Sequence, residues 1–459
     1  DAAPQLPNSP YGAPASRGAQ ERAEQSAQTP VEPVQLTPQN LTGFSSAATN
    51  LTPAILDERK PANMNEALSR VPGVIVINDD GNAHHGGVGL RGSPARRSRK
   101  VLVMEDGHAN NLALWLDPSV HYWGPIDRFE SIEVIRGTII THGPNNNFGV
   151  INTRNLSPFG PDETVVSAAI GFTKNRTGSF VDEDGEASSG GNDTDTSLRW
   201  HVHTRQSAEN FGIVLSYTGA NVQGVWDTER LRNNDFYGAI GWKGSSSDLT
   251  VSASYARQRD TYDEQNFLGE YEFDASSEDE AEEIAESFFG LAEQQFAQLK
   301  HCKTCYAPNS GLNNYNGDIY RGQIVHNAYL DRDTTITTRL YAGEHRRDRY
   351  QLLSTEGDPS EGSGLAPVLG DTEFEDGIEN SAVLFGENTM FGRLRTFRHV
   401  GGEMRGEWAN RDLFGFNQAI QAGIRYEYQD MTNRNFLGRD GETLSGRDDD
   451  GVTIFDRDL

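Results

Sequence analysis

The side chains best equipped for chemistry in this 459-residue chain cluster between positions 79 and 136. Arg96, Arg97, Arg99 and Lys100, in "SPARRSRK", form the densest basic run in a chain of formal charge −27. Clustered guanidiniums suit carboxylates, because each offers five donors in a fixed fork. The competing reading is that some of them satisfy contacts within the fold; Lys100, at the start of a strand, fits that role best. His84 and His85, with Asp79 and Asp80 nearby, carry ligand types that suit iron or zinc. Adjacent histidines on an extended loop point apart, however, so joint capture of a metal needs help from elsewhere. Hydrogen bonding to a chelated ligand and plain surface exposure are the alternatives. Trp115, Tyr122 and Trp123 can stack on a flat organic molecule or wedge packed elements together. Cys302 and Cys305, the chain's two cysteines, stand in "HCKTC" as a redox dithiol, half of a zinc site or a small closed loop. No second Cys/His pair at ligand spacing follows, which leaves zinc the weakest of the three.

The acidic balance argues against a general nucleic-acid-binding role. Its local clusters, "SSEDEAEEIAE" and "RDDDG", read as solvated surface. No run of about 18 apolar residues exists to form a membrane-spanning helix. That does not exclude the membrane, because barrel strands alternate lipid-facing and lumen-facing residues and so keep a low mean hydropathy. Asp1 is compatible with a mature N-terminus left by cleavage.

Three kinds of element must position these residues. Residues 1–49, rich in Pro, Ala, Gln and Ser, cannot bury enough apolar area to fold and read as a flexible leader. Residues 50–158 read as a compact α+β unit. In "PANMNEALSRVPGV", Asn63 and Glu66 are spaced as a capping box. Met64, Ala67, Leu68 and Val71 recur at helical spacing, and Pro72-Gly73 stops the helix. Short strands follow at "VIVIN", "VGLRG", "KVLVMEDG" and "FESIEVIRG", and the stretch from Ser131 onward alternates Ile132, Val134 and Thr138 against Glu133 and Ile135. Two apolar runs then flank the knuckle "HGPNNNFG". From 159 to 459 the pattern becomes long alternating strands. "DLTVSASYA" sets Leu249, Val251, Ala253 and Tyr255 against Thr250, Ser252, Ser254 and Ala256. "TITTRLYA" repeats this with Ile336, Thr338, Leu340 and Ala342. Tight turns at "KGSSS" and "DRD" alternate with very long connections, as in a membrane β-barrel. About nine strands can be recognised. A helix is expected within "DEAEEIAESFFGLAEQQFAQLK", where Ile284, Phe288, Leu291 and Leu299 share a face.

In that order, "NEALSRVPGV", "GLRG", "VLVMEDG", "IDRFESIEVIRG" and "HGPNNNFGVIN" resemble the plug domain of TonB-dependent outer-membrane receptors. The last segment is especially similar to the ferric-citrate branch. The resemblance implies a mainly β fold: a transmembrane antiparallel β-barrel, partial in this chain, around an N-terminal α+β plug. Receptors of this kind resemble barrels of about 22 strands, and "TIFDRDL" lacks a terminal aromatic residue, so a C-terminally incomplete chain is expected. The implied activity is not enzymatic. It is TonB-dependent import of a ferric chelate, iron-citrate or a carboxylate siderophore, across the bacterial outer membrane. Haem, cobalamin, oligosaccharide or surface signalling are alternatives, and a soluble thiol oxidoreductase using Cys302 and Cys305 is the rival from another class.

Carried onto this sequence, the resemblance turns three plug loops toward incoming ligand, "NDDGNAHHGG", "SPARRSR" and "HANNLALWLDPSVHYW". Asp79, His84, His85, Arg96, Arg97, Trp115 and Tyr122 become the expected apex site. Arg91 and Arg136 match plug arginines that pair with barrel glutamates. Cys302 and Cys305 become a loop disulfide. No permanent cofactor is implied, since the ferric chelate is cargo. The implied partners are TonB with its inner-membrane ExbB and ExbD complex, outer-membrane lipid and lipopolysaccharide. "EPVQLTP" around Val34 is a poor match to the segment that TonB pairs with.

Overall fold

The computed structural model describes residues 47–77, 85–114, 117–138, 142–176, 180–181, 187–188, 192–223, 230–261, 314–331, 333–352, 390–413 and 416–438. The N-terminal unit begins with β1 (Ala47–Leu51), α1 (Pro53–Arg59) and α2 (Met64–Leu68). Thus β1 overlaps the end of the segment expected to be leader. At α2 the Asn63 side chain accepts the Glu66 backbone N–H at 2.9 Å, and the Glu66 carboxylate accepts the Ala62 N–H at 2.7 Å. This is a capping box whose return bond falls one residue early. Met64, Ala67, Leu68 and Val71 are all buried, as their helical spacing predicts.

The short strands are β2 (Val74–Val76), β3 (Val88–Leu90), β4 (Leu102–Glu105) and β5 (His108–Ala109), followed by β6 (Phe129–Arg136) and β7 (Gly149–Asn155). They build a five-stranded sheet ordered β1-β6-β7-β4-β5, while β2 and β3 pair separately. Both faces of β6 are buried at its centre. Ile132 and Val134 join a core with Leu68, Val88 and Leu90, while Ile135 packs with Leu102, Met104 and Val150. The knuckle before β7 needs its glycine, because a Cβ on Gly149 (φ +149°) would lie 2.2 Å from the Ile135 carbonyl oxygen.

The second unit starts at β8 (Glu163–Arg176), with the small pair β9 (Phe180–Val181) and β10 (Ala187–Ser188). The long strands continue as β11 (Asn192–Ala208), β12 (Phe211–Gln223), β13 (Arg230–Lys243), β14 (Ser247–Asp260) and β15 (Asn314–Asp331). The last are β16 (Thr334–Leu352), β17 (Met390–Leu413) and β18 (Phe416–Gly438). Among the described residues, nine of these form one antiparallel sheet, running from β8 through β11 to β18 in chain order. Side chains alternate as the sequence predicts: Val251, Ile324, Leu340, Val400 and Ile424 are exposed on one face. Ser252, Val325, Arg339 and Arg405 are buried on the other, against the first unit. An outward apolar band over a polar inward face is the pattern of a membrane barrel wall. Tight turns link Lys243 to Ser247 and Asp331 to Thr334, whereas the long connections leave from Asp260 and Leu352 at the opposite strand ends. The helix expected between 279 and 300 lies outside the described residues.

Candidate functional site

At the long-connection end of the sheet, strand alternation aims Arg347 and Arg349 of β16 and Arg393 and Arg395 of β17 toward the plug. In the ladder Arg347 stands opposite Arg395, and Arg349 opposite Arg393. Like charges directly opposed on one face oppose pairing. Two such pairs in succession are a cost that folding alone does not require. Tyr315 of β15 is the platform beneath them: its ring lies 4.7 Å from the Arg347 guanidinium and 4.8 Å from that of Arg349. Arg347 also donates to the Tyr315 hydroxyl at 2.8 Å.

The plug contributes to the same place. Arg97 is 2% exposed and sits 5.3 Å from the Tyr315 ring centroid. Its turn is unusual, since Arg97 and Ser98 both have positive φ, 58° and 47°, a conformation that side chains other than glycine seldom adopt. The turn is held by the Val120 N–H on the Arg97 carbonyl (2.9 Å) and by Ser98 Oγ on the Val88 N–H (2.9 Å). His85 and His121 lie alongside, Nδ1 to Nδ1 at 3.1 Å, with His121 stacked on Tyr315 and His85 Nε2 3.7 Å from the Asp260 carboxylate of β14. Burial, then the neighbouring Arg347 and Arg97, hold His121 well below the ordinary imidazole range. The imidazole is therefore a neutral hydrogen-bonding group near pH 7. Asp117 reaches this rim from the plug, 3.6 Å from Arg395.

Of the expected apex residues, the structure thus brings His85 and Arg97 together. Arg96 is exposed on the same turn. Tyr122 is buried elsewhere, where its hydroxyl donates to Asp235 of β13. Asp79, His84 and Trp115 lie outside the described residues, as do Cys302 and Cys305. Among the described residues no group of three or more His, Cys, Asp or Glu is arranged to hold a metal ion. Sequence reasoning missed the four barrel arginines. The signal was present as Arg-x-Arg in both "RRDRY" and "GRLRT", which places each pair on one face of a strand.

Below this chamber the seam between plug and sheet is built differently. Arg128 is completely buried, with Glu105 of the plug at 3.0 Å and Asp235 of the barrel at 3.3 Å. Arg321 of β15 lies 3.8 Å from Glu105 and donates to the His108 carbonyl at 2.8 Å. Arg199 pairs with Asp127 of the plug at 2.9 Å, and Arg205 pairs with Glu130. Burial pushes Glu105 upward, but Arg128 and Arg321 outweigh it and hold the carboxyl below its usual range. Neighbouring Asp106 is pushed up to about 6 by burial, against the opposing hydrogen bond from Asn155. Arg136 donates to the Pro72 carbonyl and, at 3.0 Å, to the Thr49 hydroxyl, both within the plug. Arg91 is exposed in a turn with φ 50°.

The family model described as the TonB-dependent receptor plug domain matches residues 41–151. Among solved structures, the unliganded ferric citrate transporter FecA is similar with a TM-score of 0.64 at 14% identity, over 91% of this chain and 52% of that one. The open form of the ferric-catecholate import receptor Fiu from E. coli K12 follows, with a TM-score of 0.59 at 13% identity, over 85% of this chain and 50% of that one. The siderophore receptor PiuA from Acinetobacter baumannii has a TM-score of 0.53 at 13% identity, over 84% of this chain and 46% of that one. At such identities the likeness establishes the fold, and this chain spans about half the length of each relative. No curated protein sequence matches.

Proposed function

From the premise that the chain carries a TonB-dependent receptor plug against the barrel wall of that outer-membrane fold, we propose that it imports an anionic ferric chelate, with a citrate or carboxylate siderophore as cargo. The observation that supports this reading most is the opposed arginine pairs of β16 and β17 meeting Arg97 over Tyr315. Guanidiniums gathered in a partly dry recess bind carboxylates by charge-assisted, often bidentate, hydrogen bonds. Each arriving carboxylate would also relieve repulsion among the arginines. Two of the relatives are named for iron chelates, ferric citrate and ferric catecholate.

In the mechanism that follows, the chelate settles on the arginine chamber, with His85, His121 and Tyr315 as neutral partners. Because Arg97, His85 and His121 belong to the plug while the other arginines belong to the wall, ligand contact is made by both domains at once. A ligand that prefers one plug position over another shifts the population of plug states by its differential affinity, and no more. TonB, with ExbB and ExbD, would read that shift from the inner side and supply the energy for passage. Arg91 and Arg136 are proposed as further plug–barrel contacts, Cys302 and Cys305 as a loop disulfide. The exposed aromatic and arginine side chains of the outer wall are proposed to meet lipid and lipopolysaccharide. The test is iron uptake by cells that make the receptor, with citrate as the sole chelator. Uptake that needs both TonB and the receptor supports the reading, and uptake unchanged by loss of the receptor removes it.

A further inference from the structure

One of the chamber's arginines already faces a carboxylate, and that carboxylate belongs to the plug. Asp117 divides its two oxygens. Oδ1 accepts the Ser119 N–H at 3.2 Å and the Ser119 hydroxyl, which fixes the turn, while Oδ2 faces Arg395 at 3.6 Å. The segment that carries it is closed on itself. Ala113 and Asp117 exchange backbone hydrogen bonds at 2.9 and 3.0 Å, and the Leu112 N–H donates to the Ser119 carbonyl at 2.9 Å. Leu112 and Ala113 pack with Phe397, two residues along β17 from Arg395. The loop therefore rests on the wall through an apolar contact and an ion pair, at the arginine that stands opposite Arg347.

Both ends of the loop are tied to the rest of the plug. At one end the Val120 N–H donates to the Arg97 carbonyl, and the Val120 carbonyl accepts the Gly86 N–H beside His85, each at 2.9 Å. At the other, the buried Asn111 side chain accepts the Val103 N–H of β4 at 2.9 Å and donates to the carbonyls of Val101 (3.2 Å) and Pro118 (2.6 Å). A shift of Asp117 is thus felt at the Arg97 turn and in the central sheet. An ion pair at 3.6 Å between partly exposed partners is weak, and a carboxylate free to approach Arg395 in bidentate fashion outcompetes it. We propose that Asp117 is a stand-in for the cargo: its carboxylate holds Arg395 until a carboxylate of the ferric chelate takes its place, and the exchange releases the loop from β17. The inference rests on the anionic cargo proposed above.

The experiment titrates the purified receptor with ferric citrate by calorimetry and follows backbone amide exchange in parallel. Asp117→Asn keeps an oxygen for Ser119 and removes the charge, so it should bind ferric citrate roughly fivefold more tightly, the worth of one partly exposed ion pair. That gain should vanish when Arg395→Gln is also present, since the competition is for that arginine. In the wild type, saturating ferric citrate should speed exchange at Leu112, Ala113 and Asp117 severalfold. No gain from Asp117→Asn overturns the inference. So does a gain that survives Arg395→Gln, which marks a diffuse charge effect, and so do amides that stay protected with cargo bound. Each of these leaves the anionic-cargo reading standing, because the wild type still binds. Failure of the wild type to bind ferric citrate removes that reading and this inference with it. Should Asp117→Asn not fold, wild-type exchange decides alone: faster exchange supports the displacement and unchanged exchange overturns it.

Discussion

The two ends of the plug–barrel contact follow opposite electrostatic rules. Along the seam three buried arginines meet a carboxylate across the boundary: Arg128 and Asp235, Arg321 and Glu105, Arg205 and Glu130. At the apex arginine meets arginine, Arg347 opposite Arg395 and Arg349 opposite Arg393, with Arg97 added from the plug. The seam thus pairs opposite charges, whereas the apex, where Asp117 lies 3.6 Å from Arg395, gathers positive charge that an anionic cargo would complement under the proposed function. Facing like charges weaken strand pairing, and an anion seated among them would offset that cost.

The largest effect expected from that contrast is at the seam. Arg321→Gln leaves Glu105 buried beside a single remaining guanidinium, and breaking a buried pair in this way costs about 3–5 kcal/mol. Thermal unfolding of the purified receptor should reveal a clearly earlier plug transition. At the apex the same type of change should act on binding instead. Arg347→Gln with Arg349→Gln is expected to weaken ferric citrate binding about a hundredfold, at roughly 1.5–3 kcal/mol per charged hydrogen bond lost. The melting temperature should stay level or rise as repulsion is relieved. Equal destabilisation by the apex and seam variants would erase the distinction between the two regions.

Salt should separate them further. Raising ionic strength shortens the screening length to about 3 Å at 1 M, so citrate affinity should fall severalfold in a titration series while the unfolding midpoint moves little. The smallest effect concerns Asp106, whose carboxyl is raised to about 6 in the folded plug. A raised acid stabilises the fold fully below its unfolded value near 4 and loses that contribution as pH rises through about 6. The plug should therefore unfold more easily at pH 7.5 than at pH 5, by about 1.4 kcal/mol at most. Asp106→Asn should flatten that part of the profile; an unchanged slope would contradict the assignment.

Much of this was legible in the sequence where local rules suffice. The capping pattern at Asn63 and Glu66, the Pro72-Gly73 stop and the alternation in "DLTVSASYA" all describe interactions within a few residues. The nine-strand sheet follows from the same alternation. The resemblance counts Tyr122 among ligand-facing residues because it lies in the third outward loop, "HANNLALWLDPSVHYW". The structure turns it inward, since a phenol beside Arg128 and Asp235 finds two hydrogen-bond partners that solvent would otherwise supply. The arginine pairs were harder to find because their meaning lies in register. Only when β16 and β17 are laid side by side do four separate arginines become two facing pairs.

The central claim is that the apex recognises negative charge on its cargo. It is tested most directly by calorimetric titration of the purified receptor with ferric citrate and, in parallel, with a ferric hydroxamate of zero net charge. Saturable binding of ferric citrate that is at least tenfold tighter than that of the neutral complex is the predicted result. Equal affinity for the two, or binding of the neutral complex alone, would contradict it.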